Sequence, residues 1–177
     1  MQCAISIFGK DRPGIIAEIT SVLVSHQVNI EDASMTILQG HFAMILVVSM
    51  DESSYLQVQE DLKASETLQG FSINFSKQEF QDQLPERDDQ TFSRYLLQLT
   101  VDDMPGIVAK VSKVLGSFGA NIVDCSTRKN NETHVFTMLL DVDVPTDKEN
   151  EIVSQIESAS NSFVGDVVFR KLDSVEM

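Results

Sequence analysis

Apolar and polar positions alternate from Gln2 to Phe8, which predicts a strand with one face buried. Ile15, Ile16, Ile19, Val22 and Leu23 then fall on one side of a 3.6-residue repeat, predicting a helix that ends near His26-Gln27. Val28 to Leu38 reads as a second strand, with Ala33, Met35 and Ile37 alternating. Gln39-Gly40 turns the chain into His41–Met50, whose dense apolar run predicts a central strand or one covered on both faces. Tyr55, Val58 and Leu62 mark a more polar helix, and Phe71, Ile73 and Phe75 alternate in a last strand. The order is βαββαβ, the ferredoxin-like unit.

The pattern then repeats. DRPGIIAEITSVLVSHQVNIEDAS starts at Asp11, and DMPGIVAKVSKVLGSFGANIVDCS starts at Asp103, 92 residues later. At that one offset Asp11 matches Asp103, Pro13 Pro105, Gly14 Gly106, Ala17 Ala109, Leu23 Leu115, Asn29 Asn121, Ile30 Ile122, Asp32 Asp124 and Ser34 Ser126. Such a fixed register marks a tandem duplication. The second copy predicts a strand over Phe92–Val101, a helix over Gly106–Phe118 and strands over Asn121–Arg128 and Thr133–Val142. Thr146 and Glu149 form a capping box before a helix with Ile152, Ile156 and Ala159 inward, and Val164–Leu172 closes the unit. The fold class is therefore α+β: two units with antiparallel four-stranded sheets, residues 1–78 and 92–177, joined by an acidic linker at 79–91. Each sheet carries two helices on one face. The other face and the edges stay open, so the two units are expected to pair with each other or with units of a second chain, and a homo-oligomer, dimer or higher, is the default expectation.

Charge narrows the function classes. The chain has 13 basic and 27 acidic residues, a formal net charge of −14. The excess is spread over both units and the linker. Nucleic-acid binding needs clustered Lys and Arg, so direct DNA contact is not expected. Two cysteines without a CxxC argue against a disulfide framework or a zinc ribbon. No apolar run reaches membrane-spanning length and none reads as a signal peptide, so a cytoplasmic protein is expected.

Asp-x-Pro-Gly sits between strand and helix in both copies. Proline suits the first helical position, and Gly14 and Gly106 present bare backbone there. Unpaired N–H groups and the positive end of the helix dipole attract a carboxylate or phosphate. Asp11 and Asp103 add the opposite demand, a cation such as an ammonium. An anion and a cation side by side match the head group of an α-amino acid. The same residues also make a plain strand-to-helix turn, so a ligand loop and a turn both remain open.

Asp11-Arg12-Pro13-Gly14-Ile15 followed by Val28-Asn29-Ile30 resembles an ACT domain, a small regulatory module that commonly binds amino acids. Asp103-Met104-Pro105-Gly106-Ile107 and Ala120-Asn121-Ile122 match it a second time. A tandem pair opening with DRPGI and NIEDAS is similar to the glycine cleavage system transcriptional repressor family. That resemblance implies an amino-acid-sensing regulator without catalysis. It would act on glycine cleavage genes through a separate DNA-binding regulator protein rather than on DNA. It also implies a small amino acid, glycine among them, between the loop of one unit and the second-strand start of a paired unit. Asp11, Arg12, Pro13, Gly14, Asp103, Pro105 and Gly106 would supply the loops, and Asn29 and Asn121 the strand starts. Relatives that bind serine carry a histidine two residues before the acidic position, where this chain has Gly9 and Val101. The alternative is a non-sensing ACT module that holds units together and regulates a partner enzyme.

No other constellation asks for chemistry. His26, His41 and His134 lack a nucleophile and an orienting acid in a recognisable pattern. No metal site, cofactor motif or catalytic residue is expected, and a strand between every pair of helices excludes a helix-turn-helix. His41 and His134 occupy near-corresponding places beside the two hairpins, which implies a structural or partner-facing role. Cys125, at the position of Ala33, is expected as a small buried core residue. Asp32 and Asp124 are expected on the surface.

Overall fold

The structure, a computed structural model, describes residues 1–77 and 91–172. The expected linker lies, except for Thr91, outside the described residues. In the first unit β1 (Gln2–Lys10) is followed by α1 (Ile15–Ser25), β2 (Asn29–Leu38), β3 (His41–Ser49), α2 (Tyr55–Ala64) and β4 (Ser72–Lys77). The sheet is antiparallel in the order β2-β3-β1-β4. The second unit repeats this with β5 (Phe92–Asp102), α3 (Ile107–Ser117), β6 (Asn121–Lys129), β7 (Val135–Pro145), α4 (Glu149–Ser160) and β8 (Gly165–Lys171), in the order β6-β7-β5-β8. The expected βαββαβ duplication is the observed architecture.

Alternation along the strands builds each core, because successive side chains point to opposite faces of a sheet. Cys3, Ile5 and Ile7 of β1 and Phe42, Met44, Leu46 and Val48 of β3 turn inward. They meet Ile15, Ile19 and Leu23 of α1 and Val58 and Leu62 of α2. In the second unit Leu97, Leu99 and Val101 meet Met138, Leu140, Val142 and Val144 under Ile107, Val111, Leu115, Ile152 and Ile156. The dense run in β3 therefore marks a central strand covered on one face, since Ile45 remains 57% exposed.

The repeated Asn-Ile-x-Asp has a backbone cause. Pairing of β2 with β3 shifts between Ile30 and Asp32, and pairing of β6 with β7 shifts between Ile122 and Asp124. Glu31 and Val123 are thus the extra residues of equivalent β-bulges, which bend the edge strand. Asp32 is exposed there and accepts the Ala33 N–H at 2.7 Å.

Two local expectations are corrected. Cys125 is exposed, because β6 is an edge strand open along its length, and matching Ala33 carries no burial since β2 is open too. Thr146 and Glu149 do not form a capping box. The Glu149 carboxylate turns to the sheet, where it accepts from Ser93 Oγ, Tyr95 Oη at 3.0 Å and Lys171 Nζ at 2.8 Å. The Thr146 N–H donates to the Thr91 carbonyl at 3.0 Å. Lys171, then Ser93, hold the Glu149 carboxyl below its usual value, while burial and Glu149 push the Tyr95 phenol up.

Candidate functional site

Between the end of β1 and the start of α1 the chain turns through Asp11-Arg12-Pro13-Gly14. Gly14 has φ 92° and ψ −8°, and Gly106 has φ 91° and ψ 4°. Proline followed by such a glycine makes a type II turn. The helix therefore starts two residues later than the expected proline-first arrangement, with Gly14 and Gly106 as N-caps. A side chain held in the left-handed region costs about 1–2 kcal/mol. An added Cβ at either glycine would meet open space, so the glycines answer to conformation rather than crowding.

Neither helix start has a side-chain cap. The Gly14 carbonyl accepts the Glu18 N–H at 2.9 Å and the Gly106 carbonyl accepts the Lys110 N–H at 2.9 Å. Among the described residues no side chain takes the first-turn N–H groups, an arrangement that suits an anion. The loops are pinned from behind. The Asp11 N–H donates to the Gly40 carbonyl at 2.9 Å, and the Asp103 N–H donates to the His134 carbonyl at 2.8 Å. His134, at φ 55°, fills the place that Gly40, at φ 76°, holds in the first unit, so its part is a backbone one. His41 instead stacks on Phe8, ring centroids 5.8 Å apart.

The first loop borders a cleft of about 210 Å³ lined by Asp11, Arg12, Gly14, Ile16, Met35 and Ile37, among others. Among the described residues the Asp11 carboxylate has no hydrogen bond or ion pair. Arg12 is engaged elsewhere. Its guanidinium donates to the Thr67 carbonyl and, at 3.0 Å, to the Gln69 carbonyl, and lies 5.2 Å from the Phe71 ring centroid. The carboxylate left without a partner faces a wall that is apolar, formed by Ile16, Met35, Ile37 and Phe42.

The second loop differs. Met104 stands for Arg12 and is 47% exposed. Asp103 is paired, with Lys129 Nζ at 2.5 Å from its carboxylate.

Asn29 and Asn121 lie at the far ends of their own units. Asn29 pairs with Ser49, and Gln2 pairs with Ser49 as well, whereas Asp11 follows the opposite end of β1. A nine-residue strand separates the two ends by about 27 Å. Within one unit the structure therefore gathers Asp11, Arg12, Pro13 and Gly14, or Asp103, Pro105 and Gly106, but not the asparagine. The Asn29 amide donates to Glu31 Oε1 at 2.9 Å, and Ser49 Oγ donates to the same oxygen at 2.5 Å. Ser49 first, then Asn29, lower the Glu31 carboxyl below its usual value. At Asn121 the bulge residue is Val123, and the amide has no such partner among the described residues.

Three participants escape a reading of one motif at a time: Gly9, Glu31 and Lys129. An added Cβ on Gly9 would stand 2.5 Å from the Phe71 ring, so that ring fills the place of any side chain there. Superposing the two copies would have exposed Lys129, which falls on Ile37, and Glu31, which falls on Val123.

The ACT domain family matches residues 2–76 and again residues 94–161. The chain belongs to the ACT domain family. One unit-length stretch of the chain is similar to relatives of the UPF0237 group. The protein of Methanopyrus kandleri is 44% identical over 70 residues, 38% of this chain and 78% of that one. That of Clostridium acetobutylicum is 37% identical over 75 residues, 41% and 84% of the two chains. Those of Pyrobaculum aerophilum and Methanosarcina mazei are matched over only 54% and 55% of their length. Two solved structures match the tandem arrangement. An unknown protein from Galdieria sulphuraria has a TM-score of 0.80 at 27% identity, covering 97% of this chain and 98% of that one. A candidate glycine cleavage system transcriptional repressor has a TM-score of 0.70 at 16% identity, with the same coverage, and shares the fold. No helix of the described residues is long and apolar enough to cross a membrane.

Proposed function

We propose that this tandem ACT protein is an amino-acid-sensing regulator without catalysis, and that its first loop receives the amino acid's head group. The observation behind it is the cleft at Gly14, where an unpartnered Asp11 carboxylate stands beside an uncapped helix start. Asp11 takes the ligand's ammonium, and the N–H groups of the first turn of α1 take its carboxylate. Gly14 shapes the turn behind Pro13. Asn29 and Asn121 contact a ligand only from a paired unit, whether the other unit of the same chain or a unit of another copy in a homo-oligomer. Pro105, Gly106 and Asp103 form the corresponding loop of the second unit. Binding changes the packing of paired units, and a protein partner reads the change, provided the two states differ in affinity for the ligand.

The control point we propose is transcription of glycine cleavage genes, with glycine among the small amino acids sensed. The name of the neighbour that shares the fold supports that choice. The −14 charge supports action through a DNA-binding regulator protein in the cytoplasm rather than on DNA itself. A second role, an ACT module that holds units together around a partner enzyme without sensing, is favoured by the second loop, where Lys129 occupies the acid.

Thermal unfolding against the twenty amino acids separates the two. The chain has no Trp, so circular dichroism or a dye reports the transition. A ligand of the folded state alone adds about 2.7 kcal/mol at one hundred times its dissociation constant. Sensing requires a clear rise in the midpoint with glycine or another small amino acid. No rise with any of them favours the structural module.

A further inference from the structure

The two loops share a turn and differ in what faces their acids. Lys129 is the last residue of β6 and pairs with Phe136 of β7, while Ile37 pairs with Phe42 of β3. The two positions are the same place in the fold. In the first unit that place is aliphatic, lines the cleft and leaves Asp11 open. In the second it sends an ammonium to 2.5 Å from the Asp103 carboxylate.

We propose that Lys129 is a built-in competitor that occupies the acid of the second loop, so that the chain has one open amino-acid site, in its first unit. This rests on the assignment of the loop as an amino-acid site. The ε-ammonium of Lys129 makes the contact that a ligand's α-ammonium would make, and the chain holds it in place. A tethered group meets its target at an effective concentration in the millimolar range, with no partner to wait for. The pair is half-exposed, so it is a competitor rather than a plug. Exposed ion pairs of this kind shift an equilibrium by up to about fivefold. Each loop carries one acid and one cation, and the difference lies in contact: Arg12 lines the first cleft but donates to the Gln69 carbonyl at 3.0 Å, whereas Lys129 lies directly on the Asp103 carboxylate.

The opposite asymmetry appears at the strand starts. In the first unit Glu31 holds the Asn29 amide. In the second, Val123 takes the place of Glu31 and leaves the Asn121 amide without a side-chain partner among the described residues. The groups left open by the chain's own side chains are the first loop and the second strand start.

The test is calorimetric titration of the full chain with glycine and with L-valine. Asp103→Asn isolates the first loop and Asp11→Asn isolates the second. Lys129→Ile is then added to each, and Ile37→Lys is added to Asp103→Asn. Circular dichroism checks that each variant is folded. In the Asp11→Asn background, Lys129→Ile should tighten binding by about fivefold. In the Asp103→Asn background it should leave affinity unchanged, while Ile37→Lys should weaken binding by a similar factor. Two wild-type sites of equal affinity, each removed by its own Asp→Asn change, would overturn the inequality and leave the loop assignment standing. An unchanged second loop in Lys129→Ile would overturn the role of Lys129 in the same way. No heat of binding with either amino acid in any variant would overturn the loop assignment and this inference together.

Discussion

The Arg12 guanidinium lies 5.2 Å from the centroid of the Phe71 ring, and the same ring covers Gly9. The most conspicuous cation of the motif is thus a fastener. It ties the first loop to the carbonyls of Thr67 and Gln69, across more than fifty residues of sequence. Arg12→Met, which installs the residue of the second copy, should cost about 1 kcal/mol. For a unit of this size that lowers the unfolding midpoint by about 4–8 °C. Differential scanning calorimetry of the two proteins reads the difference.

Gly9 and Gly14 make separable demands. Gly9→Ala drives a methyl into the Phe71 ring and should destabilise by about 1–3 kcal/mol, as overpacking does. Gly14→Ala meets nothing but must hold a left-handed φ, which costs about 1–2 kcal/mol. Adding Phe71→Leu should relieve Gly9→Ala and leave Gly14→Ala unrelieved, as urea melts of the four proteins would show.

The Glu149 cluster gives a pH signature. Its folded-state carboxyl is lowered, chiefly by Lys171 and then by Ser93. The folded state therefore favours the carboxylate, and the added stability is present above the unfolded value. It is lost as pH falls through the folded one. Glu149→Gln should be less stable than wild type at pH 7, and the gap should close below about pH 4. A gap that stays constant down to pH 3 would assign the cost to packing instead.

Cysteine reactivity checks the edge strand. Cys125 is exposed and Cys3 is buried under the helices, with its thiol pushed up by that burial. A thiol reagent at neutral pH should label one cysteine rapidly in the native protein and the second only after unfolding. Cys125→Ser should remove the rapid phase without changing stability by more than about 0.5 kcal/mol.

Much of this fold could be read from residue spacing alone. Ile15, Ile19 and Leu23, or Phe71, Ile73 and Phe75, carry a period that survives into the structure because each element buries one face. The repeat of Asn29-Ile30 with Asp32 was equally visible, though its cause, a β-bulge, appears only once β3 is placed beside it. Cys125 misled because matching residues across repeats does not report burial when both lie on an open edge. Glu149 misled because a local capping pattern competes with distant partners, and Tyr95 and Lys171 win. The loops were legible as turns. What faces them was not, because Lys129, at the end of β6, and Phe71, just before β4, arrive from far along the sequence.

The most direct test is a titration of ¹⁵N-labelled protein with glycine and then L-valine, following the backbone amides of both loops. A sensing first loop predicts saturable shifts at Gly14, Ile15, Ile16 and Ala17, with smaller and later shifts at Gly106, Ile107 and Val108. Amides of the first loop that stay still while others move, or do not move with either amino acid, would contradict it.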